Sequence, residues 1–492
     1  MKRVREYDKD YSSKLDNCLL LDCSALQHCV LYLMTNDLHH LVQCSKRCKN
    51  VLFQFFVIVS TWHRPQLAKL DVQYHSLVSS MLCSGPSCKT LCKTLYFPSR
   101  LRSLNCGFHC RCPFTRSVLP SSLTSLTLGV GCRQVIQPGV LPCSLTSLDL
   151  DSCDWMLSPG VLPPNLTKLV VHRGSNMQIL VIKALPTSLT SLHIGAYKHA
   201  FAMGVLPSCL LTLQLGYESR EPIGQGVLPI NLQTLIFHYY DHSFASGVLP
   251  FSLTELHFNY YYEHAFQFGT LPVRLTTLHI GSYTHSFAVG VLPSSLITLR
   301  IGYDSHKPIG QGVLPYGLKT LVFKFYYHPF ETGVLPSSLT ELQFHCNYEK
   351  DFQPGTLPPS LQILRFRYKC NQLFTLGVLP FGLLDMQFGC NFTQELLPGV
   401  LPSSLTRLSL GHAYKNKFFE NVLPDCLTKL KFGDAYNESF AAGVLPSSLT
   451  SLKLGAYYNQ PFPSGSLPGR LKLLRLGSRP ITQEQKSHLQ IE

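Results

Sequence analysis

The chain has 492 residues, of which 45% are hydrophobic and 14% charged, a balance that supplies a filled core and excludes long disorder. Its formal net charge of +14 predicts attraction to acidic surfaces, and the sign alone suits nucleic acid, an anionic membrane or an acidic protein equally. The most apolar run, Val51 to Val59, falls well short of the ~20 residues of a membrane helix, and the charged N-terminus leads into no secretory h-region. We read the chain as intracellular, in cytoplasm and/or nucleus, not secreted and without a membrane partner.

Residues 1–65 come first. Apolar residues at Leu26, Val30 and Leu33, then Leu38 and Leu41, then Cys48, Val51 and Leu52 suggest short amphipathic helices. Thr35-Asn36-Asp37 supplies a turn and an N-cap between the first two. Leu21, Leu26, Val30, Tyr32, Leu33, Asp37, Leu38, Leu41, Cys44, Ser45, Lys46 and Trp62 follow a pattern that resembles an F-box. Asp22 stands where that pattern usually has Pro, and Cys48 where an aromatic is common. The resemblance implies docking onto the Skp-type adaptor of a cullin–RING ubiquitin ligase. Leu33, Asp37, Leu38, Leu41, Lys46 and Trp62 would bind that adaptor, the apolar ones as an amphipathic helix face. The alternative is a helical cap that seals a repeat array, which every solenoid requires.

Residues 66–95 read as a linker or N-terminal cap. Eleven of the 19 cysteines precede Pro113. Cys83, Cys88, Cys92, Cys106, Cys110 and Cys112 cluster there, but no CxxC pair occurs, so buried free thiols are expected and no metal is assigned.

From residue 96 to 477 a repeat takes over. In register, Leu-Pro returns seventeen times between Leu119-Pro120 and Leu467-Pro468, at steps of 21 to 23 residues, and Phe97-Pro98 sits one step earlier. A fixed period of this length is the signature of stacked coils. With the Pro as position 0, position +3 is always Leu, +6 is Leu except for Met386, and +8 is mostly Leu, Ile or Phe. Positions +4 to +8 alternate polar and apolar, which predicts a short strand with one buried face. Gly at +9 is expected to release the chain into a turn. Aromatics such as Tyr197 and Phe201, Tyr283 and Phe287, and Tyr458 and Phe462 are expected to pack between coils on the far side. The return through Val-Leu-Pro-Ser-Ser-Leu is poor helix material, because Pro lacks an N–H and Ser favours turns.

The core L-P-x-x-L-x-x-L-x-[LIF]-G, as in Leu445 to Gly455, with Tyr458-Asn459-Gln460-Pro461 after it, resembles the FNIP repeat family, a leucine-rich-repeat-like branch. The expected fold is a repeat solenoid with a long parallel β-sheet of about 18 coils and little helix on the return side. A small all-α F-box-like module precedes it, and residues 478–492 form a polar tail or cap. Residues 186–271 and 272–357 look like copies of one four-coil block, 86 residues apart, as nearest-neighbour stacking tolerates.

Outward strand positions +5 and +7 are expected to line the concave surface. They carry Arg300, Arg365, Lys431, Lys453 and Arg475 at +7, joined by Arg407 and Lys429 at +5. Such a stripe suits an acidic or phosphorylated protein segment, with Arg forks gripping it. His193, His257 and His279 also recur there. No P-loop, G-x-G-x-x-G, G-x-S-x-G or H-E-x-x-H occurs, so neither an enzyme nor a cofactor is expected. No RNA- or DNA-binding module occurs either, so specific nucleic-acid binding is not expected. The two readings in view are a substrate-recognition subunit of a Skp–cullin–F-box ligase and a stand-alone binding scaffold.

Overall fold

The computed structural model of the chain describes residues 97–477 apart from 98–99, 108–113, 130–134, 153–156, 174–179, 218–220 and 305, together with strand segments 56–59, 80–83 and 479–480. Leu33, Asp37, Leu38, Leu41, Lys46 and Trp62 lie outside the described residues. The chain divides into two compact units, Met1–Leu210 and Leu211–Glu492.

In the first unit, β1 (Phe56–Val59), β2 (Ser80–Cys83), β3 (Ser103–Cys106), β4 (Ser125–Leu128), β5 (Ser147–Ser152), β6 (Lys168–Arg173) and β7 (Ser191–Ile194) follow in order. Each pairs in parallel with the next. The stack therefore includes two strands, β1 and β2, that precede the first Phe-Pro marker. Any segment that is extended can join a parallel ladder through its main chain, with or without the side-chain marker of the repeat.

The second unit continues the pattern with β8 (Thr212–Leu215), β9 (Thr234–Phe237), β10 (Glu255–Tyr261), β11 (Thr277–Tyr283), β12 (Thr298–Tyr303), β13 (Thr320–Phe325) and β14 (Glu341–Phe344). Then come β15 (Ile363–Phe366), β16 (Asp385–Gln387), β17 (Arg407–Ser409), β18 (Lys429–Lys431), β19 (Ser451–Leu454), β20 (Leu473–Leu476) and β21 (Arg479–Pro480). Neighbours from β8 to β20 are all parallel, and β21 turns back antiparallel on β20. The described residues contain no α-helix, and no helix long and apolar enough to cross a membrane.

The strand alternation decides what is buried. In β7, for example, Leu192 and Ile194 point into the core while Ser191 and His193 face outward. Leu at +3 and +6 is almost wholly sequestered, as at Leu318 and Leu321, each 0% exposed, except in the last coil, where Leu471 and Leu474 are half-buried. Each such Leu contributes about 1.5–3 kcal/mol. Tyr283, Phe287, Tyr458 and Phe462 fill the far side as expected, and Tyr414, Tyr436 and Tyr458 stack coil upon coil. Some of these tyrosines also tie adjacent coils, because the Leu180 N–H donates to Tyr197 Oη at 3.0 Å and the Ile223 N–H to Tyr240 Oη at 3.0 Å.

The return side is built from two turns. After each Pro, the +3 N–H donates back to the Pro carbonyl, as Leu449 does to Pro446 at 3.0 Å. The second Ser of the pair forms a ladder: Ser448 Oγ donates to the Leu427 carbonyl at 2.7 Å, and Ser404 Oγ does the same to Leu383 at 2.7 Å. Before each Leu-Pro a second turn needs a left-handed residue, which is Gly in most coils, such as Gly139 at φ 79°. Lys183 occupies that place at φ 68°. A side chain there is strained by about 1 kcal/mol, so Lys183→Gly is expected to raise the midpoint of thermal unfolding. An unchanged or lowered midpoint in a melting curve would show that the turn carries no such strain.

Two expectations need correction. Gly281 and Gly302, at +9, lie inside β11 and β12 instead of releasing the chain into a turn. The reason is proximity: a Cβ on Gly302 would overlap the Gly281 carbonyl oxygen, and one on Gly281 the Asn259 carbonyl oxygen. The second concerns thiols. Cys106, Cys346 and Cys370 are buried, with burial pushing Cys346 up to about 11 and Cys370 up to about 12. Cys143, Cys209 and Cys426 are exposed, because they occupy the polar turn positions after the Pro.

Candidate functional site

The outward face of the second unit carries the candidate site. Its columns are set by strand register: Lys431, Lys453 and Arg475 are successive partners across β18, β19 and β20, and Arg407 partners Lys429 across β17 and β18. Adjacent strands stand about 4.8 Å apart, so these charges are neighbours.

The expected stripe is not uniform. Asp385 on β16 sits between Arg365 and Arg407, with Arg365 Nη2 at 2.5 Å and Arg407 Nε at 3.1 Å from its Oδ2. The carboxylate is largely buried, its side chain 11% exposed, so the two guanidinium groups are engaged with it. Arg300 stands apart on β12, and its column continues through the uncharged Val322 and Gln343 before reaching Arg365.

Beyond the strand ends lies a groove of about 720 Å³. Its cationic lining is Arg367, Lys431, Lys453 and Arg475, with Gln387 and Ser409 as neutral hydrogen-bonding groups. Gly411, Gly433, Gly455 and Gly477 leave its floor without side chains. One carboxylate, Asp434, stands in the wall, 3.5 Å from His412 Nδ1 and accepting the Ala456 N–H at 3.0 Å. Arg475 Nε is buried with no hydrogen-bond partner among the described residues.

A second cluster lies toward β12. Position +9 holds Lys324, His345 and Arg367 on three successive coils, beside Arg300 one coil earlier. Sequence reasoning passed over these three because +9 is the glycine position. The signal was present as a loss of that glycine, which lets the outward alternation run one step further. Burial, reinforced by the Arg300 guanidinium, pushes the Lys324 ammonium below its ordinary range. Burial, then Arg367, Arg300 and Lys324, pushes His345 down. His345 Nε2 also lies 3.1 Å from Gln343 Oε1, and Gln343 Nε2 donates to Glu341 at 2.6 Å.

His257 and His279 complete the face, with ring centroids 5.7 Å apart in a T-shaped contact. Burial, then Lys324, His257 and Arg300, lowers His279 to about 4. Burial also lowers His257, against the opposing pull of Glu255 at 3.7 Å. In the first unit the comparable face carries the Asp149–His172 pair at 3.1 Å, with the His193 ring 5.7 Å from that of His172. No group of three or more metal-ligating His, Cys, Asp or Glu residues occurs among the described residues.

The sign of the resulting pH dependence follows from the lowered imidazoles. Between about pH 6.5 and pH 4 the unfolded chain binds a proton at this position that folded His279 refuses, so stability falls as the pH falls. His279→Gln is expected to flatten that slope. Denaturant titrations of both forms at several pH values check it, and parallel slopes would sink it.

Fold and face together define a leucine-rich-repeat-type solenoid, an architecture suited to a protein-interaction scaffold. The chain belongs to the FNIP repeat family: the FNIP Repeat model matches residues 134–172, 176–218, 221–261, 262–304, 306–347, 348–391, 391–435 and 436–479. It is similar to CroV588, whose crystal structure is described as a novel circular LRR protein structure, at 33% identity and a TM-score of 0.65. That alignment covers 78% of this chain, which spans 61% of the length of CroV588. YopM from Yersinia enterocolitica aligns at 20% identity with a TM-score of 0.44, over 77% of this chain and 88% of its own. No curated protein matches the chain.

Proposed function

We propose that the chain is the substrate-recognition subunit of a Skp–cullin–F-box ubiquitin ligase. Residues 1–65 would dock on the Skp-type adaptor through Leu33, Asp37, Leu38, Leu41, Lys46 and Trp62. The repeats would hold an acidic or phosphorylated protein segment on the outward face of the second unit. The observation that carries this reading is the coupling of an F-box-like residue pattern to a repeat array with a cation-lined groove. Ubiquitin transfer itself would belong to the cullin–RING partners, and the receptor would act by proximity.

The test is co-purification. The wild-type chain is expected to bring down a Skp-type adaptor, and Leu38→Asp with Leu41→Asp is expected to abolish it, because two charges on an apolar docking face cannot be desolvated cheaply. Retention of the adaptor by the double variant would refute the docking model.

A second reading, a stand-alone scaffold with the N-terminus as a cap, is favoured by the place of β1 in the strand stack. Deleting residues 1–65 separates the two. A soluble array with an unchanged melting midpoint supports the receptor; unfolding or aggregation supports the cap.

A further inference from the structure

Some charges on the outward face of the second unit are answered from within. Asp385 holds Arg365 and Arg407, Glu255 faces His257, Asp434 faces His412, and Glu341 is engaged by Gln343. Six cations of the +7 and +9 columns are different: Arg300, Lys324, Arg367, Lys431, Lys453 and Arg475 make no ion pair with a described residue, and Lys429 at +5 makes none either. Arg300 and Lys324 are close enough that one disfavours the charge of the other. Like charges gathered without a counter-ion raise the energy of the free protein, and an anion brought from outside relieves it. Arg367 connects the two groups, since it follows Lys324 in the +9 column and also opens the groove that contains Lys431, Lys453 and Arg475.

We infer that these six cations form one continuous track, along which an acidic peptide segment lies extended across the strands from β12 to β20. This rests on the reading of an acidic partner and gives it a length and a path. Eight strand spacings of about 4.8 Å make about 38 Å, which about twelve extended residues span. The path bypasses Arg365 and Arg407, whose guanidinium groups Asp385 already holds. Across β16 and β17 the groove offers Gln387 and Ser409 over a glycine floor, which suits the amides of a peptide backbone. Nucleic acid would call for stacking platforms along the path, and the aromatic rings that line the groove, Phe388 and Phe432, are buried in the core.

The experiment uses the full chain without adaptor and fluorescein-labelled oligoglutamate peptides of about six, twelve and eighteen residues, read by fluorescence anisotropy. Affinity is expected to rise about tenfold or more from six to twelve residues and to level off by eighteen, as new charge-assisted contacts are made and then exhausted. Lys324→Glu and Lys453→Glu are each expected to weaken the twelve-residue peptide about tenfold, whereas Arg365→Gln changes it less than about twofold. Arg300→Gln replaces Lys324→Glu should the latter melt early. Equal affinity for six and twelve residues, or an Arg365→Gln loss as large as that of Lys324→Glu, overturns the track and leaves the acidic partner standing. No binding at any length overturns both. Tighter binding of an oligothymidylate of equal charge would assign the track to nucleic acid and overturn the peptide. Failure of adaptor docking leaves all these outcomes unaffected.

Discussion

Gly411→Val is expected to unfold the coils around β16 and β17, at a cost of about 3–5 kcal/mol. Gly411 meets the preceding coil so closely that any Cβ would overlap the Gly389 carbonyl oxygen. The obstacle is backbone, and that backbone is tied on both sides. The Cys390 N–H donates to the Tyr368 carbonyl at 2.9 Å, and the Ala413 N–H donates to the Cys390 carbonyl at 2.8 Å. The clash cannot be relieved by a rotamer, so the coils must separate and surrender those bonds. Gly469, where an added methyl would meet nothing within 4 Å, is the control, and Gly469→Ala is expected to stay within about 0.5 kcal/mol. Hydrogen exchange by mass spectrometry would localise the opening, since each coil leans only on its neighbours. Wild-type protection across residues 385–413 in Gly411→Val would show that the close approach is not needed.

Phe344→Ala is expected to cost about 3–5 kcal/mol. Phe344 is 0% exposed and lies at the centre of the aromatic cluster of the second unit. It stacks on Tyr348 at 4.2 Å within its own coil, on Phe366 at 5.2 Å in the next and on Phe323 at 5.6 Å in the one before. Truncation leaves a cavity bordered by rings on three successive coils, and rings held by their own stacks collapse into it poorly. Phe344→Leu keeps most of the volume and is expected to recover more than half of the loss. Urea unfolding followed by tyrosine fluorescence would measure both. An alanine variant as stable as the leucine variant would mean that neither ring packing nor volume at this position sets the stability of the core.

The candidate site was legible in part. The +7 column exposed Lys431, Lys453 and Arg475 to sequence reasoning, because period-two alternation fixes which residues face outward. Asp385 was missed, although it stands in the +5 column, because pairing across coils depends on which rungs become neighbours. Lys324, His345 and Arg367 were missed for a different reason. The glycine typical of +9 hides the few coils in which a cationic or imidazole side chain replaces it.

The parallel strand ladder, its register and the identity of its core are all written in the order of residues. A period of 21 to 23 residues with Leu at fixed places admits one way to bury every Leu at once. Which cations remain unpaired, why +9 is glycine and how the second Ser is used became visible only in three dimensions. Each of these depends on the distance between residues some 21 or 22 places apart in the chain, and the stacking of coils sets that distance.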